Sequence, residues 1–223
     1  MIELAPHSTT STQFRTLPRS PQTPCSFKSR RHLQDTVPVV TVVADPTQEQ
    51  LRTWWDAMHD DDLSVAYNDD FPTTLTDFRL DVEQGTKLLA LILVDGQVAA
   101  ASWLHDMVYR DDGTIAAGWV GGYVLPAYRG VLGKNLWHHV KRHWEAEGIE
   151  HFFAAAHIAN RRSQVFISRG MRFHRVGVYP QFSFYDGHLT DVVFYVANQK
   201  DAQLARQCAA ARAQRLLHTP FAA

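Results

Sequence analysis

Cysteine is scarce in this 223-residue sequence, and the two present, Cys25 and Cys208, fit no CxxC metal or redox pattern. Nothing in the chain therefore calls for an oxidising compartment. No apolar run approaches the roughly 20 residues of a membrane span, so no membrane partner is expected. Neither sign of charge dominates: 22 Lys and Arg stand against 23 Asp and Glu, and the whole chain gives no electrostatic case for nucleic acid. An HExxH motif is absent too. The twelve histidines still raise the question of metal, and His139 and His143 are four apart on a predicted helix, a spacing that can chelate. With no nearby carboxylate in a matching position and no obvious third ligand they read as surface histidines, and no metal is expected. These absences together point to a reduced, soluble, cytoplasmic protein.

What the chain does contain divides it into three parts. Residues 1–36 hold eleven Ser/Thr, four Pro and five Lys/Arg against two acids, Glu3 and Asp35. That composition buries little apolar surface and reads as an extended or disordered arm. It lacks the apolar core of a secretory signal; its acid-poor, Ser/Arg-rich character is that of an organelle transit peptide, although its prolines spoil an amphipathic helix. Docking on a protein partner is an equally good account of it. Residues 37–197 are patterned as a globular domain, and 198–223 as a C-terminal helix and tail.

Within 37–197, "VPVVTVV" reads as a strand, followed by a helix capped by Asp45 with Pro46 at its first position. A second helix is expected over 73–84. "KLLALILV" and "QVAAASWLHDMVYR" flank Asp95-Gly96, a hairpin signal, and "DDG" at 111–113 leads to a third strand, "TIAAGWVGGYVL". Then the period changes. Leu136, Val140 and Trp144 recur every four residues, which predicts an amphipathic helix over 133–147 ended by Gly148. "HFFAAAHI" suits a sheet centre. Asn160 can cap a helix running to Arg169, and a last hairpin turns at Asp186-Gly187.

This order of elements, with "VLPAYRGVLGKNLW" (124–137) and "NRRSQVFISRGMRF" (160–173), resembles the GNAT superfamily of acyl-CoA-dependent N-acetyltransferases over residues 37–197. The resemblance implies an α/β (α+β) fold: a mixed, mostly antiparallel central sheet of about seven strands flanked by helices. It also implies acetyl-CoA as co-substrate and an amine, small molecule or protein, as acceptor. Its pyrophosphate would lie on the turn of Arg129, Gly130, Val131, Leu132, Gly133 and Lys134. A turn opening a helix suits that role physically, because the first N–H groups of a helix are unpaired and its dipole is positive there. The family turn runs R-G-x-G-x-G, whereas "RGVLGK" reaches its last glycine one residue sooner, lacks a glycine and sets Leu132 at or beside a position that needs no side chain.

For the chemistry, the resemblance assigns the oxyanion donor to a backbone N–H near Val124. Asn160 and Ser163 match polar motif positions that would contact the pantetheine or adenosine, and read equally as a helix cap and a packing residue. The family's proton-donating tyrosine falls on Phe166 or Ile167 here. Strand pairing predicts His105 opposite Trp119 and Ala101 opposite Tyr123, so His105 is the candidate base and Tyr123 the candidate acid. A strand histidine and a core tyrosine are the plainer readings. Gly121 and Gly122 are expected to leave open space beside them, and Asp106 to face the other side of the sheet. Tyr179, Tyr185, His174 and His188 could also reach an acceptor, Trp103 and Trp119 read as core, and "DDDLSVAYNDDFP" (60–72) could line the entrance. A catalytically inactive GNAT fold serving as a binding or scaffold module is the alternative, and bacteriophage-encoded GNAT-like proteins are one setting for it.

Overall fold

The computed structural model describes residues 38–60, 71–132, 135–185 and 188–218. The arm, most of the acidic 60–72 segment and the tip of the last hairpin lie outside them. In chain order the elements are β1 (Val40–Val43), α1 (Gln48–His59), α2 (Leu75–Glu83), β2 (Leu88–Val94), β3 (Gln97–Tyr109) and β4 (Ile115–Val124). A 3₁₀ turn (Pro126–Tyr128) then leads to α3 (Arg129–Leu132), α4 (Leu136–Ala146), β5 (His151–His157) and α5 (Arg161–Val165). The chain closes with β6 (His174–Tyr185), β7 (His188–Val196) and α6 (Ala202–His218). The seven strands form one sheet in the order β1-β2-β3-β4-β5-β7-β6, parallel only between β4 and β5.

Local chemistry moves several element ends from where the sequence alone would put them. The cap of α1 is Thr47, not Asp45: its hydroxyl accepts from Gln50 N at 3.2 Å, and Gln50 Oε1 accepts from Thr47 N at 2.9 Å. The reciprocal pair satisfies two otherwise orphaned donors. Thr47→Ala is expected to cost about 1 kcal/mol, seen as a lower urea midpoint with an unchanged slope. The helix after Asn160 is not continuous either. Five α-helical residues pass into a π turn over Phe166–Gly170, in which Met171 N donates to Phe166 O at 2.9 Å.

Alternation along the strands sorts the core into two faces. On one, Ile92, Ala100, Leu104, Phe152 and Ala154 pack with Leu136, Trp137, Val140 and Trp144 of α4. On the other, Leu89, Leu91, Ala101 and Trp103 meet Leu51, Trp54, Trp55 and Met58 of α1 and Phe78 of α2. Farther along that second face, Trp119, Phe153 and Phe194 pack with Ala205 and Ala209, whose small side chains bring α6 close. Trp103 and Trp119 are thus core residues, as expected.

Candidate active site at the parting of two strands

The parallel pair at the sheet centre is short. β4 meets β5 only at Ala117↔His151, Gly118↔Phe152 and Trp119↔Phe153 among the described residues. Past Trp119, β4 stays with β3 as far as Ala100↔Val124, while β5 stays with β7 as far as His157↔Val192, so the two strands part. Ala155, in the middle of a central strand, is exposed beside this gap. The direction of the β4 amides follows from two bonds: Glu150 N donates to Ala116 O on the β5 side, and Leu125 N donates to Ala99 O on the β3 side. Alternation then turns the N–H and C=O of Val120, Gly122 and Val124 toward the gap.

Arg129, at the start of the turn below, reaches back to the end of β4. Its Nε donates to Val124 O at 3.1 Å and an Nη donates to the Tyr123 hydroxyl at 2.9 Å, with the guanidinium 5.4 Å from the ring centre. Gly130 and Val131 lie in the single turn α3. The Leu132 side chain is 2% exposed and packs in the core with α4. Its carbonyl accepts from Asn135 N at 3.0 Å, just ahead of α4. Gly133 and Lys134 lie outside the described residues.

The hairpin register is the expected one, with His105 opposite Trp119 and Ala101 opposite Tyr123. Three other expectations on this hairpin are corrected. Gly121 does not leave open space, since a Cβ there would lie 2.3 Å from Cε2 and Nε1 of Trp103. Beside Gly122 the nearest atom to a Cβ would be Ala101 O at 3.2 Å. Asp106 does not face away from His105. The register slips between His105 and Val108, Asp106 takes φ +46°, and its carboxylate lies 3.0 Å from His105 Nδ1. A bulge re-aims a side chain in this way, and the left-handed backbone of an aspartate there is an uncommon one.

His105 and Tyr123 are not brought together. Trp119, across from His105, is four residues from Tyr123, or about 13 Å at the rise of a strand. Tyr123 is buried among the α1/α2 side chains at the open end of the gap, whereas His105 is 32% exposed where β4 and β5 still pair. The two side chains therefore stand at opposite ends of the stretch of β4 that lines the gap.

At the other side of the gap, Asn160 is buried and caps α5, its Oδ1 accepting from Ser163 N at 3.0 Å. Gln164 ties that helix to the end of β5, donating to His157 O at 3.0 Å and Ile158 O at 2.8 Å. Ile167 is buried in the core and Phe166 packs against it. Tyr179 stacks on Phe194 with centroids 4.4 Å apart, and His174 and His188 are exposed. The Tyr185 side chain lies outside the described set. Sequence reasoning missed two couplings, Asp106 to His105 and Arg129 to Tyr123; the positive φ behind the first leaves no Gly or Asn signal.

No family model matches the chain, and no curated protein matches it. Solved structures do. RimL, a ribosomal L7/L12 alpha-N-protein acetyltransferase in complex with coenzyme A, is 16% identical with a TM-score of 0.54, covering 70% of this chain and 92% of its own. RimJ of Mycobacterium smegmatis, in complex with CoA-disulfide, is 16% identical with a TM-score of 0.55, covering 78% and 90%. MccE, a microcin C7 self immunity acetyltransferase in complex with acetyl-CoA and AMP, is 12% identical with a TM-score of 0.54, covering 70% and 91%. Sheet order, the parted β4–β5 pair and these likenesses agree: the chain has the fold of the GNAT acetyltransferases.

Proposed function

We propose that the protein is an N-acyltransferase that moves an acetyl group from acetyl-CoA to an amine, either a small molecule or a protein. The observation that carries this reading is the gap between β4 and β5, with the backbone N–H of Val124 turned into it. In the reaction the amine nitrogen attacks the thioester carbonyl, the C–N bond forms, the C–S bond breaks, the amine gives up a proton and the thiolate takes one. A main-chain donor fixed by strand pairing suits the oxyanion of the tetrahedral intermediate, because it needs no reorganisation. Tyr123 is the acid beside that donor, and its O–H can supply the proton to the leaving sulfur. His105, oriented by Asp106, would serve the amine side through water. Arg129, Gly130 and Val131, with the start of α4, would hold the pyrophosphate, with Leu132 contributing its backbone alone. Gly133 and Lys134 complete that turn in sequence, and Asn160 and Ser163 would border the pantetheine.

Thermal melts with and without acetyl-CoA, with ADP as control, test the reading. A ligand at a hundred times its dissociation constant adds about 2.7 kcal/mol, or roughly 5–10 °C for a chain of this size. The same shift should be lost in Arg129→Glu. No shift at millimolar acetyl-CoA would remove the proposal.

A second reading, a GNAT fold that binds or scaffolds without catalysis, draws on two observations. Arg129 already bonds Tyr123 and Val124, and the place of a proton-donating tyrosine in the helical segment after Asn160 holds Phe166 and the buried Ile167. A thermal shift with no thiol release across a panel of amines would favour it.

A further inference from the structure

The near-neutral charge of the chain is an average over two unlike parts. Residues 151–185 hold five arginines and none of the 23 acids; Asp186 is the first carboxylate after Glu150. The fold gathers these arginines. Arg161 and Arg162 lie in the first turn of α5, Arg169 in the π turn that follows, Arg172 in the connection and Arg175 at the start of β6. Arg161 and Arg169, eight residues apart, are separated by about 12 Å at the rise of a helix. Arg175 pairs with Tyr195 on β7. Ile167 of the π turn, Phe173 and Tyr195 pack in one core cluster, so the π turn covers the face of the sheet to which Tyr195, the partner of Arg175, points. All five arginines are exposed, and among the described residues no carboxylate lies within ion-pair distance of any of them.

We propose that this arginine surface on α5 and β6 binds the phosphate backbone of a nucleic acid. Unpaired guanidinium groups at this density repel one another, and a folded chain gains nothing from keeping five together without a partner anion. Arginine presents a planar fork that matches phosphate oxygens, and none of the five positions holds lysine. An acidic protein partner would need an apolar centre inside its polar rim, and among the described residues the large apolar side chains exposed on or beside α5 and β6 are Ile158, Val165 and Val178, one each on three separate segments. A bilayer would need a continuous apolar face, which three such residues on separate segments do not supply. Phosphate-tracking surfaces are polar and strongly positive, as here. The inference does not depend on acyl transfer.

The test is fluorescence anisotropy of a labelled 20-nucleotide mixed-sequence RNA titrated with the full-length protein between 50 and 200 mM salt (probe and salt range chosen for the counterion effect on affinity). Four to five phosphate contacts predict a slope of log K against log salt of about −3. Arg169→Glu/Arg175→Glu should abolish binding. Arg172→Gly relaxes a left-handed backbone at φ +61°, so it should weaken binding and flatten the slope without lowering the melting temperature. Arg79→Glu, on α2 beside Glu83, should bind like the parent. These variants leave the arm intact, so RNA binding that survives both changes belongs to the arm and overturns the proposal. So would an absence of binding at 50 mM salt, or tighter binding of poly-glutamate or phosphatidylserine vesicles than of RNA.

Discussion

Gly121→Ala is expected to lower the unfolding free energy by about 3 kcal/mol, the upper end of the usual overpacking range. The methyl would sit 2.3 Å from two atoms of the Trp103 indole, well inside van der Waals contact. A flexible side chain would move aside, but this one is held. Trp103 is 3% exposed, with Trp54, Phe71 and Phe78 at centroid distances of 5.8, 5.4 and 5.9 Å around it. Relief must come from β4 itself, which means pulling it off β3 at the pair Trp103↔Gly121. That pair lies two residues past the point where β4 leaves β5, so among the described residues β5 does not pair with the strand there. The measurement is urea unfolding of a double-mutant cycle. In a Trp103→Leu background the added methyl has room, and Gly121→Ala should cost under about 1 kcal/mol, giving a coupling of about 2 kcal/mol. Equal costs in both backgrounds would mean that the clash is not the cause.

The same glycine shows how much the sequence alone conveys. Strand identities, the Asp95-Gly96 and Asp111–Gly113 turns and the pairing of His105 with Trp119 all follow from period and turn chemistry, because register in a short hairpin is set by its loop. The mixed, mostly antiparallel sheet of about seven strands came through the family resemblance. Gly121, by contrast, reads as absent bulk in a sequence, and only the fold shows that Trp103 fills the space. Leu132 is the mirror case: a motif position that needs no side chain holds one that packs into the core. Asp106 was misplaced because strict alternation has no term for an added residue, and nothing local announces that bulge. The five arginines of 151–185 carry no weight in a charge summed over 223 residues, and only the fold shows all of them exposed with no carboxylate at ion-pair distance among the described residues.

Tyr123→Phe is expected to lower kcat for acetyl transfer by about 10²- to 10⁴-fold, the usual contribution of one proton-transferring side chain. Because the ring and its packing are kept, KM for acetyl-CoA and the acetyl-CoA thermal shift should stay near the parent values. Stability should fall by only about 1 kcal/mol, the worth of the lost bond from Arg129. The proton is needed at sulfur only as the C–S bond breaks, so its loss acts on the chemical step and not on binding. His105→Ala provides the comparison. About 13 Å of strand separates the two residues, so they act on different atoms, and their effects on kcat should multiply in the double variant. If instead the double variant were no slower than the worse single one, the two would belong to one proton path. Water would then have to link imidazole and phenol along the face of β4, and Tyr123 would be one station of a relay instead of the terminal acid. An undiminished kcat in Tyr123→Phe would remove it from the chemistry and leave its hydroxyl as an anchor for Arg129.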